Sequence, residues 1–259
     1  MQRRDFLKST LAATSLAAMS SAYAAESKKS AAREYYELRH YTLRRGPMPA
    51  RFDDFFEKVA VPAWNRAGIA NVGVFDVAVG DHLPGKYALL PFKSLDALSA
   101  AQAKFDADPA VRKAEFTNLP ATDPAYVRKQ SSLMIAFSSI PKLELPAKQP
   151  RVFELRCYES HSKAANKKKI EMFDTGEIAL FRKTGLTPVF FGETLIGPKL
   201  PNLTYLLVFP DMATREKNWD TFRSHPEWKT MSATPGFTDP EIVTNVGNTI
   251  LKPAAYSQI

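Results

Sequence analysis

Short alternating runs and longer runs of helical period follow one another along this chain, and the whole succession occurs twice. Residues 34–43 alternate and carry Tyr, Leu and Thr, which predicts a strand with two usable faces. Phe52, Phe55, Phe56, Val59, Ala60, Ala63 and Trp64 then recur at helical spacing and form one apolar stripe. Pro47 suits the start of that helix, Gly68 suits its end, and Pro62 inside the stripe predicts a kink or break. Residues 71–79 and 86–92 read as two further strands. Ser94 reads as the N-cap of a second helix through Ala97, Leu98, Ala101 and Phe105. A helical turn after Pro109 and a late strand over residues 132–138 complete the set. Strand, helix, strand, strand, helix, strand is the ferredoxin-like order.

The second half repeats the first at a constant offset. Tyr35-Tyr36-Glu37-Leu38-Arg39-His40-Tyr41 returns as Val152-Phe153-Glu154-Leu155-Arg156-Cys157-Tyr158, an offset of 152 − 35 = 117. Gly68 falls on Gly185, Leu83-Pro84 on Leu200-Pro201, Phe105 on Phe222 and Pro109 on Pro226 in the same register. The chain is a tandem duplication, with repeats over residues 33–140 and 151–256 and a proline-rich linker over 141–150. One such unit covers a single sheet face with its helices and leaves the other bare. Two units in one chain can appose their bare faces, which predicts an α+β fold: an intrachain dimeric α/β-barrel.

The duplicated Tyr-Glu-Leu-Arg-x-Tyr strand, the aromatic stripe after it, Gly73-Val74-Phe75, and the Phe105-to-Pro109 spacing resemble the NIPSNAP family. The resemblance covers both repeats and implies tandem or single dimeric α/β-barrel units. The third strand departs from it, with Leu89-Leu90-Pro91-Phe92 and Leu206-Leu207-Val208-Phe209 where a Trp-containing run is expected. The resemblance implies no particular reaction.

The N-terminus carries Arg3-Arg4-Asp5-Phe6-Leu7-Lys8, a short Ala-rich apolar stretch, and Ala22-Tyr23-Ala24. This resembles a twin-arginine export signal over residues 1–24, ended by a signal-peptidase site, and implies a periplasmic protein. The apolar stretch is shorter than the roughly 20 residues of a stable membrane span. Removing Arg3, Arg4, Lys8 and Asp5 lowers the net charge from +8 to +6. That mild balance gives no reason to expect a nucleic-acid partner, and the lysines at 163, 167, 168 and 169 read as a solvated helix start. Cys157 is the single cysteine, so the chain has no internal disulfide.

Strand alternation sets Glu37, Arg39 and Tyr41 on one face, with Glu154, Arg156 and Tyr158 equivalent to them. Tyr36, Leu38 and His40, like Phe153, Leu155 and Cys157, take the other. The more apolar set is expected beneath the helices and the Glu/Arg/Tyr set inside the barrel. Asp76 and the equivalent Glu193, acids in mid-strand, are expected to pair with the arginines. Together these eight residues are the pocket candidates, in which Arg anchors an anionic or carbonyl group and Glu or Tyr moves protons. A structural Glu–Arg ladder is the competing reading. His40, His82, His161 and His225 show no metal-ligand spacing, and His225 reads as a helix cap. His40 and Cys157, expected on the helix side, make no catalytic pair. Three functions stand: a small-molecule-binding or cofactor-free catalytic barrel, a non-catalytic scaffold or interaction module, and a haem-binding barrel. No cofactor or metal is expected in the first two. This arrangement leaves room for further homo-oligomerisation of full-length chains.

Overall fold

A computed structural model describes residues 32–259; the export signal read over residues 1–24 lies outside them. Repeat 1 runs β1 (Tyr35–Thr42), α1 (Met48–Phe55), a π-helical turn (Phe56–Ala60), α2 (Val61–Arg66), β2 (Gly73–Val79), β3 (Gly85–Phe92), α3 (Leu95–Ala107), α4 (Pro109–Lys113), a 3-10 turn (Glu115–Asn118) and β4 (Arg128–Ala136). Repeat 2 follows with β5 (Val152–Glu159), α5 (Lys163–Met172), a second π-helical turn (Phe173–Glu177), α6 (Ile178–Lys183), β6 (Thr187–Ile196), β7 (Asn202–Phe209), α7 (Met212–Ser224), α8 (Pro226–Ala233), α9 (Asp239–Ile242) and β8 (Asn245–Pro253). Each repeat is a ferredoxin-like unit, as its periodicity predicts. β4 starts earlier than expected because Arg128, Lys129 and Gln130 pair with Thr42, Tyr41 and His40 of β1.

The break expected at Pro62 does not occur. The helix runs on, and the irregularity near Pro62 is the π-helical turn over Phe56–Ala60, whose widened hydrogen-bond ladder ends at Val61 just before the proline. The same turn forms in repeat 2, where the equivalent of Pro62 is Ala179. The wide turn therefore accommodates the proline and does not depend on it.

All strands join in one closed antiparallel barrel in the order β1-β3-β2-β8-β5-β7-β6-β4. The two sheets thus do more than stack: their edges pair, β2 with β8 and β4 with β6. Edge pairing leaves no strand at an open sheet edge. At the second seam Gly192 passes so close to β4 that a Cβ added there would lie 2.9 Å from Met134 Cβ.

The face assignment drawn from alternation is inverted. Tyr36, Leu38, Phe75, Phe153, Phe190 and Leu206 point into the barrel and pack as one cluster, with Ile259 at the closed end. Glu37, Arg39, Tyr41 and their equivalents lie beneath the helices instead: Tyr41 packs with Phe52, Phe56 and Trp64, and Tyr158 with Phe173 and Trp219. The reason lies in what each side offers. Side chains fill the interior of an eight-stranded barrel, so a charged set there would have only itself as partner. The helices supply hydrogen-bonding groups of their own. His40 and Cys157 move with the inversion and stand inside the barrel, at its open end.

Candidate functional site

Each repeat holds a cleft between its helices and the outer face of its sheet, floored by the Glu-x-Arg-x-Tyr strand. The linings correspond at the offset of 117: Arg39 with Arg156, Tyr41 with Tyr158, Gln102 with Trp219, Phe105 with Phe222. The two clefts are copies of one site that have diverged.

In repeat 1, Arg39 donates from Nε and Nη2 to the two Glu37 carboxylate oxygens, each at 2.8 Å, and from Nη2 to Gln102 Oε1 at 3.0 Å. Its guanidinium lies 4.8 Å from the Trp64 ring centroid, and Trp64 stacks on Phe105. Ser131 Oγ donates to Glu37 at 2.7 Å. Burial works against the Glu37 charge, but Arg39 and Ser131 outweigh it and hold the carboxyl below its ordinary pKa. Burial pushes the Tyr41 phenol up, so it stays a proton donor. Above this floor is a cavity of about 420 Å³ walled by Phe55, Phe56, Trp64, Phe105, Phe116 and Tyr126, with Lys129 at its rim. Partial burial, and then the nearby Arg39 charge, lowers the Lys129 pKa.

In repeat 2 charge fills the same place. Glu154, fully buried, accepts from Arg156 Nη1 at 2.8 Å, from Arg215 Nε and Nη2 at 2.9 and 2.6 Å, and from Trp219 Nε1 at 2.7 Å. Arg156 lies 4.6 Å from the Trp219 ring centroid and donates from Nη2 to Tyr158 Oη at 3.1 Å; Tyr205 donates to the same oxygen at 3.0 Å. Arg156 Nε is buried without a hydrogen-bond partner among the described residues. Lys169 and Glu177, both fully buried, pair at 3.1 Å. The space left measures about 280 Å³.

The eight sequence candidates therefore separate. Arg39 and Tyr41 line the first cleft, Arg156 and Tyr158 the second, and Glu37 and Glu154 hold the arginines in place. Asp76 pairs with Lys86 at 2.5 Å, not with an arginine, and Lys86 also binds Asp53 at 2.6 Å. Glu193 makes no salt bridge among the described residues, because the position equivalent to Lys86 is Leu203. Lys169, read as part of a solvated helix start, is buried. The sequence reading also missed Gln102, Arg215 and Trp219, helix residues more than sixty positions from the acids or arginine they contact. Comparing the two repeats position by position marks the divergence, since Phe52 and Ala60 stand where repeat 2 has Lys169 and Glu177.

His40 and His82 stand at the barrel's open end, His161 is exposed, and His225 caps α8 by accepting from the Glu227 N–H through Nδ1 at 3.2 Å. Neither cleft lining includes a histidine, so neither offers an imidazole axial ligand to haem. Among the described residues no group of three His, Cys, Asp or Glu side chains is arranged to hold a metal ion.

A family model described as NIPSNAP matches residues 36–139 and again 153–258. No curated protein matches the chain. Among solved structures, a "putative monooxygenase" from Lactobacillus acidophilus superposes with a TM-score of 0.54 at 12% identity, over 85% of this chain and 94% of that one. An anthrone oxidase-like protein gives 0.51 at 10% identity, over 87% and 93%. A NIPSNAP-like domain protein from Burkholderia xenovorans, 21% identical, matches 42% of this chain and 89% of its own with a TM-score of 0.38. At these identities the first two superpositions carry the fold alone.

Proposed function

The chain belongs to the NIPSNAP family, and from that premise we propose that it binds a small, planar, largely apolar carbonyl compound in the helix–sheet cleft of repeat 1. One observation carries this reading: a cavity of about 420 Å³ whose aromatic walls meet Arg39, Tyr41 and Lys129. That volume falls within the ~300–1,000 Å³ of ordinary small-molecule sites, which are mostly apolar with a few convergent polar groups. Aromatic walls select a flat ligand by stacking. Glu37 already neutralises Arg39, and Asp106 lies across from Lys129 in the same lining, so the cleft carries no surplus charge. A carbonyl oxygen, which needs donors and no counter-ion, fits that balance better than a carboxylate. The anchoring donors are Tyr41, Arg39 and Lys129. Lys129, with its lowered pKa, is the group best suited to exchange a proton with the ligand. We propose a periplasmic setting on the strength of the Arg3-Arg4 signal.

The test is a calorimetric titration with 2-acetylnaphthalene and with acetate, read together with tryptophan fluorescence. The ketone should bind and quench Trp64 while acetate does neither. Ala121→Trp, at an exposed position lining the cavity, should fill the space and abolish binding without altering the melting curve. Binding of acetate alone, or ketone binding unchanged in Ala121→Trp, overturns the reading.

A further inference from the structure

The barrel has one closed end and one open end, and the open end has an unusual rim. Of the ten large apolar side chains exposed among the described residues, seven stand there: Val79, Leu83, Val127, Leu195, Ile196, Leu200 and Val246. Scattered singly, exposed apolar residues need no explanation; gathered around one opening they do. Duplication makes the pattern sharper. Val79 and Ile196 are equivalent at the offset of 117, as are Leu83 and Leu200, and the four are 49–66% exposed. The hairpin positions Leu83 and Leu200 have no packing reason to carry leucine in both repeats.

Leu83 and Leu200 sit at the tips of the β2–β3 and β6–β7 hairpins, on opposite sides of the opening. The residue before each, His82 or Lys199, holds a left-handed backbone conformation, with φ of 60° and 64°. Such a conformation is unfavourable for these side chains, and strain of that kind gathers at working surfaces. Asn202 braces one tip by donating to the carbonyls of Pro198 and Lys199, each at 3.0 Å. Within the rim the opening is polar, about 290 Å³, lined by His40, Tyr87, Gln130, Cys157, Thr204 and Asn248 among others.

Charge decides between occupants. At the loops and element ends around the opening, Arg44, Arg45, Arg128, Lys163 and Lys199 are set against Asp81, Glu159 and Glu241, while Asp123 is paired with Arg51 and Asp239 with Lys169. A second copy of the chain apposed rim to rim would bring like charge against like. The apolar side chains are carried on separate hairpins and strand ends and not on one element, which disfavours a rigid protein partner and suits a soft surface. We propose that the open end of the barrel docks on an anionic lipid bilayer, with Leu83 and Leu200 entering the acyl boundary and the basic residues meeting the headgroups. Apolar insertion combined with basic residues near the surface is the physical basis of peripheral membrane binding. The polar opening then stands at headgroup depth, where its hydrogen-bonding groups remain solvated.

Cosedimentation of the mature chain with vesicles tests the proposal, using phosphatidylglycerol mixed with phosphatidylcholine against phosphatidylcholine alone. Binding should be roughly tenfold or more tighter to the anionic vesicles and should weaken as salt rises. Leu83→Ser/Leu200→Ser should lose roughly tenfold while its circular-dichroism melt stays that of the wild type, since both side chains are half exposed. Three outcomes overturn the proposal. One is no binding to phosphatidylglycerol vesicles. Another is equal binding by the double variant. The last is a concentration-dependent dimer in sedimentation velocity that the double variant abolishes, which would make the rim a contact between copies.

Discussion

The Lys169 ammonium lies 3.1 Å from Glu177 Oε2 in the interior of repeat 2, at two positions that repeat 1 fills with Phe52 and Ala60. Three aromatic rings, those of Tyr158, Phe173 and Trp228, lie 5.0–5.5 Å from the same ammonium. Burial works against its charge, but Glu177, Tyr158 and Asp239 outweigh it and hold Lys169 above its ordinary pKa. One duplicated framework thus supports an apolar and an ionic solution at the same place.

That substitution sets up the first test. Lys169→Met leaves Glu177 buried without its partner and should cost roughly 3–5 kcal/mol. Lys169→Phe/Glu177→Ala, which restores the pair of repeat 1, should recover most of that loss in urea melts. A double variant no more stable than Lys169→Met would show that the two sites cannot exchange solutions.

Glu154 contributes to the acid limb of stability. Burial alone would raise its pKa, but the hydrogen bond from Arg215 and the Arg156 charge bring it below the ordinary value. The unfolded chain therefore takes up the proton first. The contribution is fully present above the unfolded pKa of about 4.3 and is lost as pH falls through the lowered folded value. Glu154→Gln should melt well below the wild type at neutral pH, and the gap should narrow as pH drops below about 4. A gap constant down to about pH 3 would sink the assignment.

Repeat 1 expressed alone, residues 33–140, should not behave as a monomer. Separation leaves β2 and β4 as open edges and exposes Tyr36, Leu38, Phe75 and Leu89. Light scattering should report a dimer or larger aggregates. A monodisperse monomer of that fragment would count against mutual burial as the reason for the duplication.

Export is tested through the N-terminus. Arg3→Lys/Arg4→Lys should leave the chain in the cytoplasm of a bacterial host, with its signal uncleaved. Continued appearance of the variant in the periplasmic fraction would point to the general secretory route.

Much of the architecture is legible in the sequence because it is written twice. A register of 117 aligns glycines, prolines and aromatics and yields two units; periodicity gives their element order, and the bare sheet face of each unit points to a shared barrel. Capping residues are equally local: Ser94 accepts from the Ala97 N–H at 3.1 Å, as its position before an apolar run predicts. His225 at the start of α8 is legible in the same way, through its equivalence to Asp108.

Alternation along β1 and β5 determines which side chains share a face, because successive Cβ atoms point to opposite sides. It does not determine which face meets the helices, since either set can be buried once something answers its polar groups. Those answers come from far along the chain. Gln102 reaches Arg39 across 63 residues, and Arg215 and Trp219 reach Glu154 across 61 and 65. A buried carboxylate and guanidinium persist only where such partners satisfy them. Local pattern therefore determined the elements and their repetition. Tertiary structure decided the direction in which Glu37, Arg39 and Tyr41 face, because only the packed helices bring the groups that make their burial affordable.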